Sequence, residues 1–229
     1  MAKLALINNF DDAQGGPSKR TARFQKWFSD LDVIGRDALQ SPESRRQFYA
    51  DYDGFVLSGS PHDVTDIEKP EESWMKDQAR FVLDCPKPVL GTCFGHQLVC
   101  HAFSAKIRAI EAVRKNNALA KIRLEKSVEL FPAMEAGAVF SVEESHNQEV
   151  VAGSLPSDFE NVASPEPRWQ ASNAEVKESA VQLVRHRSRL VFGTQFHPET
   201  FEGVDEVTER TGAGLLKRFE ALCDAQRKS

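Results

Sequence analysis

The sequence predicts an α/β domain: a doubly wound, mostly parallel sheet flanked by helices, with a small antiparallel edge. Three observations lead there. Short apolar runs alternate with helical patterns through the first half, several of those runs end in small-residue turns, and from about Asn117 the pattern shortens to period-two alternation. A sheet of this kind gathers its strand C-termini, and with them its site, along one crevice.

In chain order, Leu4-Ala5-Leu6-Ile7 reads as a buried first strand. After the turn Gly15-Gly16-Pro17, residues Phe24, Trp27, Phe28 and Leu31 fall at i, i+3, i+4 and i+7, one face of a helix, and these aromatics are read as core. Asp32-Val33-Ile34 and the run ending at Ser58 read as the next strands. A helix follows from about Pro70, a favourable first-turn residue, to Leu83, with Trp74, Phe81 and Val82 inward. Pro86 to Gly91 is another short strand. Leu119 to Leu124 and Ala180 to Val184 alternate at period two, as half-exposed antiparallel strands do. Leu190 to Phe196 returns to a buried strand, and a last helix carries Val207, Leu215, Leu216, Phe219 and Leu222.

The strand at Pro86–Gly91 runs straight into Gly91-Thr92-Cys93-Phe94-Gly95-His96-Gln97. Gly-x-Cys-x-Gly is the cysteine version of a nucleophile elbow, a strand-to-helix turn that pushes its central residue to the tip. A side chain two positions either side would collide with a neighbouring element, which is why glycine frames the turn. The N–H groups and positive dipole end of the following helix favour a thiolate. Cys93 is therefore the candidate nucleophile. Cys85, Cys100 and Cys223 lack the glycine frame and are read as buried small hydrophobes.

Such a thiol needs a base and a group to orient that base. His197-Pro198-Glu199 follows the late strand at once, and Pro198 keeps His197 out of the helical region, so that Glu199 can turn back to the imidazole. Alone, three residues of this kind also suit an ordinary strand-to-loop turn. Together with the elbow they supply base and orienter. His96, His101 and His186 are read as structural or exposed, and His62 as a residue behind the site or at its mouth.

Composition fits a soluble catalytic chain. With 229 residues, 41% of them hydrophobic, residues 1–229 are expected to form one large domain. No apolar run approaches the roughly 20 residues needed to span a bilayer, so no membrane partner is expected. Met1–Asn8 is too short for a signal peptide, and a cytoplasmic protein is expected. Four scattered cysteines make no disulfide framework, and a reactive thiol suits a reducing compartment. A net charge of −5 argues against nucleic acid as principal partner. No metal-ligand spacing is present and no cofactor is expected. Arg185-His186-Arg187-Ser188-Arg189 is read as a solvated hairpin turn.

The elbow, the Gln195-Phe196-His197-Pro198-Glu199 segment and their order resemble the class I (triad) glutamine amidotransferases, over nearly the whole chain. The resemblance implies a flavodoxin-like fold and a Cys93–His197–Glu199 triad. It also implies an oxyanion hole from main-chain N–H groups of Gly59, Ser60 and Phe94, with Ser60 standing where family members usually have a second glycine. Ser145-His146 resembles the family's Ser-His loop, and Gln97, Ser145 and His146 are implied to hold the substrate's amino-acid end. Within the family, Ser58-Gly59-Ser60-Pro61-His62-Asp63 looks similar to stand-alone members, including γ-glutamyl peptidases, and the chain also resembles GMP synthetase glutaminase domains. The implied reaction is cysteine-dependent hydrolysis of glutamine or another small γ-glutamyl compound, through a γ-glutamyl thioester. Alternatives are a glutaminase chain feeding ammonia to a separate synthetase subunit, and a non-catalytic binding module on the same fold. The chain itself carries no P-loop and no Ser-Gly-Gly-x-Asp-Ser motif for acceptor activation.

Overall fold

The computed structural model describes residues 1–10, 18–166, 181–200 and 206–228, with main chain only at 111–119 and 206–210. The turn expected at Gly15-Gly16-Pro17 and the start of the run at Ala180 lie outside the described residues, as do the side chains of Asn117, Leu119 and Val207.

Nine described strands form one sheet: β1 (Leu4–Asn8), β2 (Leu31–Gly35), β3 (Gly54–Leu57), β4 (Val89–Thr92), β5 (Ile107–Leu124), β6 (Val139–Val150), β7 (Phe159–Glu166), β8 (Leu183–His186) and β9 (Val191–Thr194). Their order is β2-β1-β3-β4-β9-β8-β7-β5-β6. The first five in that order pair in parallel. From β9 outward each pairing is antiparallel. The antiparallel portion extends to four strands, and includes the two longest.

The parallel strands are buried end to end at β1, β3, β4 and β9, as strands covered on both faces must be. Alternation divides their side chains between two cores. Leu4, Leu6, Val56, Leu90 and Phe192 pack with Phe24, Leu215, Leu216 and Phe219, from helices α1 (Thr21–Gln25) and α5 (Glu206–Lys228). Ala5, Ile7, Phe55, Leu57, Val89 and Val191 face the other way. They meet Trp74, Met75, Phe81 and Val82 of α3 (Ser73–Asp84), and Leu98 and Val99 of α4 (Phe94–Ala102). Helix α2 (Pro42–Asp51) adds Phe48 and Tyr49 to this second core.

Three local expectations need correction. The helix read through Phe24, Trp27, Phe28 and Leu31 stops at Gln25, because Leu31 is required in extended form to pair with Leu4. The Glu220 carboxylate accepts the Ser29 N–H at 2.7 Å on the way out. Phe24 and Phe28 are buried all the same. Ser145-His146, expected on a loop, lies within strand β6. Its period-two pattern carries Glu144, His146 and Gln148 at inward positions between Val142 and Val150, so polarity conceals the strand. The Arg185–Arg189 segment turns between β8 and β9, but it is not merely solvated. Arg185 pairs with Glu129, and Arg189 donates to the carbonyls of Val82, Leu83 and Cys85 at the end of α3.

Candidate active site

Strand β4 ends at Thr92, and α4 begins at Phe94, leaving Cys93 as the single residue of the turn. Its φ is 52° and its ψ −107°, a left-handed conformation that a side-chain-bearing residue adopts only under strain. The neighbouring structure forces it. Cys93 N–H donates to Thr194 O at 2.8 Å, and Cys93 O accepts the first helical bond from Gln97 N at 3.1 Å. The framing glycines permit the crowding: a Cβ on Gly91 would stand 2.3 Å from Gly95 O, and one on Gly95 2.3 Å from Leu57 O. The thiol sits at the start of α4, where unpaired main-chain N–H groups gather.

At the end of β9 the chain passes through Gln195 and Phe196 to His197. Its N–H donates to Glu143 O on β6 at 3.0 Å. The imidazole Nδ1 is 2.8 Å from Glu199 Oε1, and the Cys93 sulfur is near enough to act on the ring's protonation. Burial opposes a charge on His197, but the Cys93 sulfur and the Glu199 carboxylate outweigh it and hold the imidazole well above its usual pKa. Glu199 is almost wholly buried. Thiol, imidazole and carboxylate stand together in the order that a thiol attack on a carbonyl requires.

Two walls enclose the sulfur. One is the turn after β3, where a Cβ on Gly59 would lie 3.2 Å from His197 Cε1 and 3.7 Å from Cys93 Cβ. A side chain there would enter the reaction space. Ser60 Oγ donates to Asn9 O at 2.9 Å and accepts from His62 N–H at 3.1 Å, so its hydroxyl is tied to the loop after β1. Among the described residues only Cys93 and Ser104 are non-glycine residues with positive φ, so Ser60 costs no such strain in the second-glycine position. Phe94, the first residue of α4, is buried beside Trp74.

The other wall is β6, the last strand of the sheet, whose outer edge lies along the site. Ser145 O is 3.5 Å from Cys93 Sγ. Gln97 and His146 face the interior and brace this wall. Gln97 Nε2 donates to Gln148 O at 2.8 Å and to Gln195 Oε1 at 3.1 Å. His146 Nδ1 donates to the same Gln148 carbonyl at 2.8 Å, and its Nε2 lies 3.7 Å from Glu144 Oε2.

His62 is held between Glu72 (2.7 Å) and Arg36 (3.0 Å). His96 is fully buried, and burial pushes it down to about 3. Burial also pushes the Cys85 thiol up to about 12 and raises Cys100 and Cys223. Among the described residues no group of three or more His, Cys, Asp or Glu stands close enough to hold a metal ion.

A thiol on a strained turn beside a carboxylate-held imidazole, at the C-terminal rim of an α/β sheet, is the layout of a thiol-dependent acyl-transfer enzyme. The chain belongs to the class-I glutamine amidotransferase family, whose description, "Glutamine amidotransferase class-I", is matched by residues 33–208. It is 29% identical over 196 residues to a subunit of the glutamine-hydrolysing GMP synthase of Sulfurisphaera tokodaii, covering 85% of this chain and 89% of that one. Against the subunit of the same name from Methanocaldococcus jannaschii the identity is 31% over 170 residues, 74% of this chain and 73% of the other. A Thermoplasma acidophilum crystal structure, described as that of a GMP synthase subunit, superposes with a TM-score of 0.73 at 23% identity, covering 100% of this chain and 96% of that one. That likeness speaks for the fold.

Proposed function

We propose that this chain hydrolyses the side-chain amide of glutamine, or a related γ-glutamyl amide, as a stand-alone polypeptide with Cys93 as nucleophile. The observation that carries the reading is the convergence of Cys93, His197 and Glu199, the imidazole bonded to the carboxylate and set against the sulfur at the elbow tip. The Cys93 thiolate attacks the amide carbon, and the carbonyl oxygen takes negative charge between the N–H groups of Gly59 or Ser60 and Phe94. His197, as imidazolium, gives its proton to the departing nitrogen, and ammonia leaves a γ-glutamyl thioester on Cys93. A water, deprotonated by His197, then cleaves the thioester to glutamate and free thiol. Glu199 keeps the imidazole oriented and balances its charge throughout.

The fate of the ammonia is a second reading with its own support. The Sulfurisphaera and Methanocaldococcus relatives match over most of their own length, and each is named as one subunit of a glutamine-hydrolysing GMP synthase. A separate synthetase chain is therefore the proposed recipient. We place the protein in the cytoplasm, a reading supported by four free cysteines and by the lack, among the described residues, of a helix long and apolar enough to cross a membrane.

The test is ammonia and glutamate release from glutamine and from a γ-glutamyl dipeptide, with and without a candidate synthetase chain. Release that disappears in Cys93→Ala supports the reading, and stimulation by the synthetase supports the two-chain version. Release equal in wild type and Cys93→Ala under every condition contradicts both and favours a binding module.

A further inference from the structure

The turn that carries Gly59 and Ser60 and the helix start that carries Phe94 belong to different elements, yet one buried carboxylate is tied toward both. Glu72 stands just before α3, a position from which side-chain oxygens commonly accept the helix's first N–H groups. It makes no such bond. Its Oε1 lies instead 2.7 Å from His62 Nδ1, and its Oε2 accepts from Trp74 Nε1 at 2.8 Å. Both Glu72 and Trp74 are buried.

Each bond leads to one side of the elbow. His62 N–H donates to Ser60 Oγ at 3.1 Å, so the residue that Glu72 holds by its ring is bound by its main chain to the turn after β3. The ring proton is assigned by a third neighbour. Arg36 Nη1, 3.0 Å from Nε2, can only donate, which leaves Nε2 as acceptor and Nδ1 as the donor to Glu72. On the other side the Trp74 ring packs on Phe94 with centroids 5.6 Å apart, and Phe94 is the residue that follows Cys93 into α4. Helix α3 ties the turn a second time: Gln78 Nε2 donates to Asn9 Oδ1 at 2.7 Å, and Asn9 O accepts the Ser60 hydroxyl at 2.9 Å.

We propose that Glu72 is a positioning residue for the oxyanion hole, setting its two halves relative to each other, the Gly59–Ser60 turn through His62 and Phe94 through Trp74. The inference rests on the amide-hydrolysis reading and adds to it what keeps the oxyanion donors in place. Its physical basis is preorganisation. Donors stabilise a developing oxyanion only if they already stand about 2.7–3.1 Å from where it forms, so the supports behind them must not yield during the reaction. A carboxylate suits this position because it offers an acceptor to each of two donors. An amide has one acceptor oxygen and would turn its own N–H groups against the second donor. Ser60, in the second-glycine position, supplies the hydroxyl that the His62 N–H reaches, so this chain carries both ends of the tie.

The experiment compares a reaction of Cys93 that needs an oxyanion hole with one that does not. Glutarate semialdehyde offers an aldehyde carbon to the thiol. Sulfur bonds to that carbon, the carbonyl double bond becomes single, and the thiol proton ends on the oxygen, giving a thiohemiacetal whose oxygen occupies the oxyanion position. Iodoacetamide is attacked at a saturated carbon and loses iodide, with no oxyanion formed. Mass analysis of the Cys93 peptide gives the alkylation rate, and protection of that peptide by the aldehyde gives its affinity, in wild type, Glu72→Gln and His62→Ala. Aldehyde affinity should fall about tenfold or more in both variants while alkylation stays within about twofold of wild type, since only the first reaction uses the oxyanion donors. Equal aldehyde affinity in wild type and in either folded variant would overturn the proposal and leave the hydrolysis reading standing. Alkylation slowed in step with aldehyde affinity would also overturn it, because damage to the thiol or the fold would then account for the loss. A wild-type thiol that is alkylated but never captured by the aldehyde would sink the oxyanion hole itself, and the proposal with it. Neither measurement requires turnover.

Discussion

Gln97 and Gln195 meet side chain to side chain, the amide Nε2 of the first lying 3.1 Å from Oε1 of the second. The contact ties the helix that starts at Cys93 to the segment that delivers His197. The same Gln97 amide reaches Gln148 O on the opposite wall. Gln97→Leu should therefore cost about 1–3 kcal/mol of stability, because two buried acceptors lose a donor. It should lower kcat more than it raises KM, since it loosens the meeting of thiol and imidazole. Urea titration and steady-state ammonia release check the two effects.

The strain at Cys93 makes its own prediction. At φ 52° an alanine retains the steric penalty of a Cβ, and a glycine does not. Cys93→Gly should be more stable than Cys93→Ala by about 1 kcal/mol, even though glycine elsewhere costs chain entropy. Both variants should be inactive. Thermal unfolding of the two proteins in one buffer decides it.

His197 titrates above its ordinary range because of the neighbouring sulfur and Glu199, against the effect of burial. A raised pKa means that the folded state holds this proton more tightly than the unfolded chain. The stabilisation is complete below the unfolded value of about 6.5, and is lost as pH rises through the folded value. Cys93→Ala and Glu199→Gln should each lower the His197 pKa and flatten this alkaline loss. NMR titration of the imidazole C–H resonances, with unfolding measured across the neutral to alkaline range, tests the sign.

Arg189 closes the far end of α3 by donating to Val82 O (2.9 Å), Leu83 O (3.1 Å) and Cys85 O (2.6 Å). Arg189→Ala should destabilise the protein by about 1–3 kcal/mol, since these carbonyls lose a charged donor. KM for glutamine should change little, because the contact lies away from the sulfur. Denaturant midpoints and kinetics on one variant measure both.

What could be read from the sequence follows from where the signals lie. The elbow was legible because backbone crowding demands Gly91 and Gly95 in person, and the His197-Pro198-Glu199 turn because proline fixes its own geometry. The buried strands announced themselves as unbroken apolar runs. Helix α2 is faint in the sequence: Arg45 is its one fully buried residue and only Phe48 and Tyr49 pack, partly buried, on the core, so its apolar stripe is short, although Ser41 and Pro42 mark its start with a cap and a first-turn proline. Strand β6 is hidden by the polar residues that face inward along it. Its contact with the sulfur depends on sheet order, a long-range property that no local pattern encodes.

The proposed mechanism turns on Cys93 forming the covalent bond to the substrate. That bond can be caught by rapid acid quenching of the protein with glutamine, with the synthetase chain added where turnover needs it, followed by peptide mass analysis. One γ-glutamyl group is expected on the peptide carrying Cys93, discharged by hydroxylamine and missing from Cys93→Ala. Ammonia release with no adduct on that peptide, and undiminished in Cys93→Ala, would contradict it.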